Sequence, residues 1–111
     1  MAERAHPNDS GFKNKWFGLK KNIYRQKLIE RYKFCLSYIK NKVVLDIPCG
    51  TGWGTAMFLN AKSVYGMDIS VDAVIFAKRN FGKPNISYYK GNMAKLDFDD
   101  EFFDVVTCLE G

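Results

Sequence analysis

Nowhere in its 111 residues does the chain hold an apolar run near the roughly 18 to 20 residues that span a membrane. The opening stretch MAERAHPNDSGFKNK lacks the apolar centre that a secretory signal needs. A cytoplasmic protein without a membrane span is therefore expected. Histidine occurs once, at His6, and the three cysteines, Cys35, Cys49 and Cys108, form no CxxC pair. That scarcity argues against a metal centre or a redox dithiol, and the thiols are read as reduced, two of them buried. Internal repeats and low-complexity segments are lacking too. So is length: a chain of this size makes one small domain, and six or seven strands with covering helices do not fit in it complete.

What is present is ordinary globular material, 47% hydrophobic and 26% charged, with a formal net charge of +5. The charge is unevenly placed. Residues 1–45 carry 11 Lys or Arg against 3 acids, whereas residues 46–111 carry 6 against 9. A basic front could favour an anionic partner, and Lys13, Lys15, Lys20 and Lys21 around Trp16 and Phe17 keep RNA open as such a partner. The simpler reading is a solvated basic helix face.

Residues 1–22 read as a mobile basic arm, rich in Pro, Asn, Asp, Ser and Gly at its start. From Ile23 to Ile39 the apolar positions Leu28, Ile29, Tyr32, Cys35, Leu36 and Ile39 recur at helical spacing. Val43 to Ile47 is a short β-branched run that suits a buried parallel strand. After a glycine-rich turn, TAMFLNAK (55–62) predicts a helix and Ser63 to Met67 a second strand. Ser70 is a good N-cap for the helix VDAVIFAKRNF, and Gly82 and Pro84 stop it. Ile86 to Tyr89 and Phe103 to Leu109 are further strands. This βαβ series implies an α/β fold with a parallel sheet and ligands beyond the C-terminal ends of its strands.

The strongest local signal is Val44-Leu45-Asp46-Ile47-Pro48-Cys49-Gly50-Thr51-Gly52-Trp53-Gly54, between a strand and a helix. Glycines there let backbone approach a ligand, and free N–H groups at a helix start favour an anionic group. The third glycine comes one place early for the dinucleotide fingerprint G-x-G-x-x-G, which argues against NAD. Asp68, at the tip of the second strand, could accept hydrogen bonds from a ribose or simply cap the next helix. Asp46 lies in an otherwise apolar strand, where an unpaired charge is costly, so a partner is expected: a ligand amine, a water or a loop N–H.

With these motifs in order, the sequence resembles the class I S-adenosylmethionine-dependent methyltransferases. LDIPCGTGWG is similar to their first motif and VYGMDIS to their second. Gly91-Asn92-Met93 with Leu96-Asp97-Phe98 is similar to the loop after their third strand, and FDVVTCLE to the start of their fourth. The resemblance implies a three-layer Rossmann-like fold with sheet order 3-2-1-4, here without its C-terminal strands, so that residues 23–111 form an incomplete cofactor-binding part. It implies S-adenosylmethionine as cofactor and methyl transfer to a small-molecule acceptor. The alternatives are a truncated or split, non-catalytic cofactor- or partner-binding module, or an RNA methyltransferase.

By the same resemblance Cys49, Gly50, Thr51 and Gly52 would cradle the methionine part of the cofactor, with Asp46 helping to hold its amino group. Asp68 would take the ribose hydroxyls and Ile69 would pack on the adenine. Asn92 would face the adenine amine with Met93 beside the ring, and Cys108 and Leu109 would border the sulfonium. Asn92 stands where family members often carry Asp, Pro48 where Gly or Ala is commoner, and Trp53 is bulky for its place. No catalytic base is identified: His6 lies in the arm, Glu110 is at most at the site edge, and the acids from Asp97 to Glu101 read as a solvated loop. The open edge of the fourth strand is expected to pair with a second copy or with a complementary C-terminal half.

Overall fold

The computed structural model describes residues 10–95 and 102–110, with side chains from residue 22 onward except that of Met93. Four strands, β1 (Val43–Asp46), β2 (Ser63–Asp68), β3 (Ile86–Lys90) and β4 (Val105–Thr107), form one sheet in the order β3-β2-β1-β4. Every pairing is parallel. The expected α/β architecture and strand order are therefore present, and all four strands end at one edge of the sheet, at Asp46, Asp68, Lys90 and Thr107.

Helix α2 (Val71–Phe81) follows β2, with the Ser70 hydroxyl accepting from the Ala73 N–H at 3.2 Å, as its sequence predicts. Helix α1 (Ser10–Cys35) differs from expectation at both ends. It begins thirteen residues before Ile23 and takes in the second part of the stretch read as an arm. The physical reason lies in composition: no proline stands between Pro7 and Pro48, and from Lys13 the helix is rich in Lys and Arg, which are good helix formers. Residues 1–9 lie outside the described part. At its other end α1 stops at Cys35, and Leu36 to Lys42 form turns closed by Tyr38 N–H to Cys35 O at 2.9 Å and Lys42 N–H to Ile39 O at 3.0 Å.

The helix expected at 55–62 is a single 3-10 turn, Thr55–Met57. Phe58 is fully buried, its ring 5.2 Å from that of Tyr32. The next residues are tied to the end of α1, with Asn60 Nδ2 donating to Leu36 O at 2.9 Å and Asn41 N–H to Asn60 O at 2.9 Å. Those bonds and the burial of Phe58 outweigh the gain of another helical turn.

Alternation along β1 and β2 divides the apolar residues between the two faces of the sheet. Tyr32, Ile39, Val44, Cys49, Phe58, Val64, Val74, Ala77, Ile86 and Tyr88 belong to one buried cluster, so α1 and α2 cover the same face. On the other face Leu45, Ile47 and Met67 pack with Tyr65 and Phe103. Of the cysteines only Cys49 is buried; Cys35 is half-buried and Cys108 exposed, one fewer interior thiol than expected. No helix of the described residues is long and apolar enough to cross a membrane.

Candidate functional site

The loop after β1 turns back across the C-terminal edge of the sheet. The Cys49 N–H donates to Met67 O at 2.7 Å, the Gly50 N–H to Asp68 Oδ2 at 2.9 Å and the Gly52 N–H to Cys49 O at 3.1 Å. Gly50 and Gly52 carry φ of +58° and +92°, left-handed conformations that a residue with a Cβ adopts at a cost. They serve different neighbours. A Cβ on Gly50 would lie 2.7 Å from Glu110 Oε1, whereas one on Gly52 would lie 2.8 Å from Ala77 Cβ and 3.0 Å from Tyr88 Cε1. Gly52 thus lets the loop seat on α2 and β3, and its missing side chain leaves room for core rather than for a ligand. Thr51, between them, is exposed.

At the tip of β2, Asp68 retains 8% exposure. Oδ2 accepts from Gly50 and Oδ1 from the Ser70 N–H at 2.9 Å. The helix-start role and a ligand role are compatible, because each carboxylate oxygen keeps a second lone-pair site. The next residue, Ile69, is 65% exposed, an apolar surface adjoining that carboxylate. Asn92, exposed after β3, uses Oδ1 to accept from the Ala94 N–H at 2.9 Å, and so caps the 3-10 turn that Met93 opens. Its amide is committed to the turn as well as available beside it.

Asp46 is fully buried, and among the described residues its partners are three hydroxyls, none of them a loop N–H. Thr55 Oγ1 donates to Oδ2 at 2.6 Å, Tyr32 Oη to Oδ2 at 2.9 Å and Thr107 Oγ1 to Oδ1 at 2.7 Å. Burial pushes the Asp46 carboxyl above the usual carboxylate range, and the three hydroxyls pull it back. The same burial, with Asp46 and Glu110 nearby, raises the Tyr32 phenol and keeps it protonated. Cys49 is pushed up to about 12 by burial and then by the charges of Asp46, Asp68 and Glu110, so its thiol is no nucleophile at neutral pH.

Beyond β4, Cys108 is exposed, and Leu109 is half-buried with its carbonyl accepting from Arg31 Nη1 at 3.1 Å. Glu110 is half-buried, with Oε2 3.2 Å from Tyr32 Oη, and burial leads the shift of its carboxyl up to about 7. Motif reasoning passes over Thr55 and Thr107, and it reads Tyr32 as an apolar helix position, not as a partner of Asp46. Trp53 also finds its reason here: its ring lies 6.4 Å from Tyr32, and the Arg25 guanidinium sits 5.9 Å above it, joining the glycine loop to α1. Among the described residues no cluster of His, Cys, Asp and Glu could hold a metal ion. The loop acids from Asp97 to Glu101 lie outside the described part.

The edge of the sheet thus gathers Cys49, Gly50, Asp68, Ile69 and Glu110, while Asp46 and Gly52 stand beneath them. A left-handed glycine, an acceptor carboxylate at a strand tip and an exposed apolar neighbour suit a ligand with a hydroxylated ring and a charged tail.

Residues 44–111 match the family described as methyltransferase domain. A phthiotriol/phenolphthiotriol dimycocerosates methyltransferase of Mycobacterium tuberculosis is 33% identical over 72 residues, which are 62% of this chain and 27% of that protein. Among solved structures, a Listeria monocytogenes protein provisionally assigned as an S-adenosylmethionine-dependent methyltransferase superposes with a TM-score of 0.66 at 27% identity. It covers 76% of this chain and 40% of its own. A dimethyladenosine transferase from Plasmodium falciparum gives a TM-score of 0.61 at 31% identity, over 73% of this chain and 30% of its own. The chain therefore spans about a quarter to two-fifths of the length of these relatives.

Proposed function

The chain belongs to the class I S-adenosylmethionine-dependent methyltransferase family, and on that footing we propose that it binds S-adenosylmethionine at the edge formed by Cys49–Gly52 and Asp68 and serves methyl transfer to a small-molecule acceptor. The observation that carries this reading is the bond from the Gly50 N–H to Asp68 Oδ2, which brings the loop and the strand tip into one cradle. When bound, the cofactor supplies a methyl group already activated on a sulfonium. The work left to the chain is holding and aligning. Asp68 accepts the ribose hydroxyls, Ile69 lies against the adenine, and the backbone of Cys49, Gly50 and Thr51 flanks the methionine part. Cys108 and Leu109 border the sulfonium, and Asn92 and Met93 lie towards the base. Asp46 acts one step removed, by fixing Tyr32, Thr55 and Thr107 beneath the loop.

Support for a small-molecule acceptor comes from the M. tuberculosis relative, whose name states such a substrate. A second reading, RNA as acceptor, is favoured by α1, where 8 Lys or Arg stand against Glu30 alone, and by the likeness to a dimethyladenosine transferase. Salt separates the two, since RNA affinity that falls steeply between low and moderate ionic strength supports the second. We further propose that β4 accepts another strand at its outer edge, from a second copy or a complementary C-terminal half. There Val106 is 58% exposed above a groove of about 430 Å³ shared with Phe34 and Tyr38 of α1 and the turn after it.

Thermal denaturation tests the cofactor reading. Millimolar S-adenosylmethionine should raise the midpoint and NAD should not, because only a ligand bound by the folded chain shifts the equilibrium. A rise with NAD alone would overturn it.

A further inference from the structure

In the register of β2 and β3, Tyr88 stands opposite Gly66. Its ring fills the places where two side chains are missing: a Cβ on Gly66 would lie 2.7 Å from Tyr88 Cδ1, and one on Gly52 would lie 3.0 Å from Cε1. A strand glycine and a loop glycine thus make room for one ring, and the seat of the ring aims its hydroxyl. Tyr88 Oη lies 3.1 Å from Gly52 O and 3.0 Å from Phe81 O, the last carbonyl of α2. Carbonyls only accept, so the hydroxyl donates in both contacts and shares its one proton between them. Burial raises the phenol above its ordinary value and keeps it a donor. Gly52 O also accepts from the Ala56 N–H at 3.0 Å, so the loop carbonyl is held from two sides.

We propose that Tyr88 is a positioning residue for the cofactor, holding the glycine loop at Gly52 as Asp68 holds it at Gly50. The proposal rests on the reading of the Gly50 loop given above. The two anchors differ in kind: Asp68 lies at the tip of β2 within the cradle, whereas Tyr88 is buried in the core beneath it. Thr51, exposed, lies between them, on the stretch that flanks the methionine part. Gly52 sits at φ of +92°, and its N–H closes the turn on Cys49 O at 3.1 Å. An aromatic ring without the hydroxyl fills the same space but takes a donor from both carbonyls, and the turn then becomes one loop geometry among several. Affinity falls by the fraction of chains that have left the binding geometry.

Calorimetric titration of the 111-residue chain tests this with three probes: S-adenosylmethionine, S-adenosylhomocysteine and methylthioadenosine, which lacks the amino-acid part. Tyr88→Phe keeps the ring and removes the hydroxyl. It should weaken the first two probes about three- to tenfold and leave the third unchanged. Amide exchange followed by NMR gives a second readout. The Gly52 N–H should exchange about tenfold faster in the variant, beyond any change at the Val64 N–H, which bonds Asn85 O at 2.7 Å near the start of β2. Replacing Tyr88 by para-aminophenylalanine restores a donor and should return both readouts towards the parent. Should Tyr88→Phe fail to fold, that replacement decides: retained affinity for the first two probes supports the proposal and its loss overturns it. Equal affinity of the parent and Tyr88→Phe for S-adenosylmethionine, equal weakening of all three probes, or exchange rising alike at Gly52 and Val64 overturns the proposal and leaves the cradle intact. Failure of all three probes to bind the parent overturns the cradle and the proposal together.

Discussion

The Gly50 N–H points at Oδ2 of Asp68, 2.9 Å away, so a residue of the first strand's loop is positioned by the tip of the second. The bond links two motifs 18 residues apart in sequence, and a change at either end is felt at the other.

Gly52→Ala should weaken the fold rather than the ligand alone. The added Cβ meets Ala77 and Tyr88 and must tolerate φ of +92°, at a cost of about 1–3 kcal/mol. A urea titration followed by circular dichroism should show the midpoint fall. Unchanged stability with abolished cofactor binding would return Gly52 to the ligand side of the loop.

Thr107→Val removes one hydroxyl from Asp46 while keeping the volume nearly constant. The cost should be about 1.5–3 kcal/mol, as for a hydrogen bond to a charged group. Thr55→Val should behave alike, and the double variant should not be additive because both hydroxyls serve one carboxylate. Two independent losses in denaturant midpoints would mean that Asp46 is satisfied some other way.

Much of this was legible in the sequence and some was not. Ser70 declares the start of α2, and the β-branched run at Val43 to Leu45 declares a buried strand, because each signal is local. The order of the four strands followed from the resemblance. The partners of Asp46 were illegible, because Tyr32, Thr55 and Thr107 come from a helix, a 3-10 turn and a strand that meet only in the folded chain. The helix misplaced at 55–62 failed for a related reason: the burial of Phe58 against Tyr32 is a tertiary contact that overrides local propensity.

Stability should fall with rising pH near neutrality. The Glu110 carboxyl is raised from the ordinary carboxylate range to about 7, so between pH 5 and 7 the folded chain holds more of this proton than the unfolded one. The stabilisation that proton brings is present below the unfolded value and is lost as pH rises through 7. Thermal midpoints from pH 5 to 8 should therefore decline, and Glu110→Gln should flatten the decline. An equal slope in the variant would assign it to Asp46 instead.

Val106→Lys places a charge on the exposed side of β4 and should lower any association through that edge. Sedimentation at micromolar concentration should show the parent chain heavier than a monomer and the variant shifted towards one. Identical profiles would remove β4 as the contact.

The account turns on S-adenosylmethionine seated at the Gly50–Asp68 cradle, and the most direct measurement is its calorimetric affinity for the parent chain and for Asp68→Ala. Loss of a charged acceptor for the ribose should weaken binding roughly tenfold to hundredfold, with NAD binding more weakly than S-adenosylmethionine to the parent. Equal affinity for the parent and the variant, or tighter binding of NAD, would contradict the account.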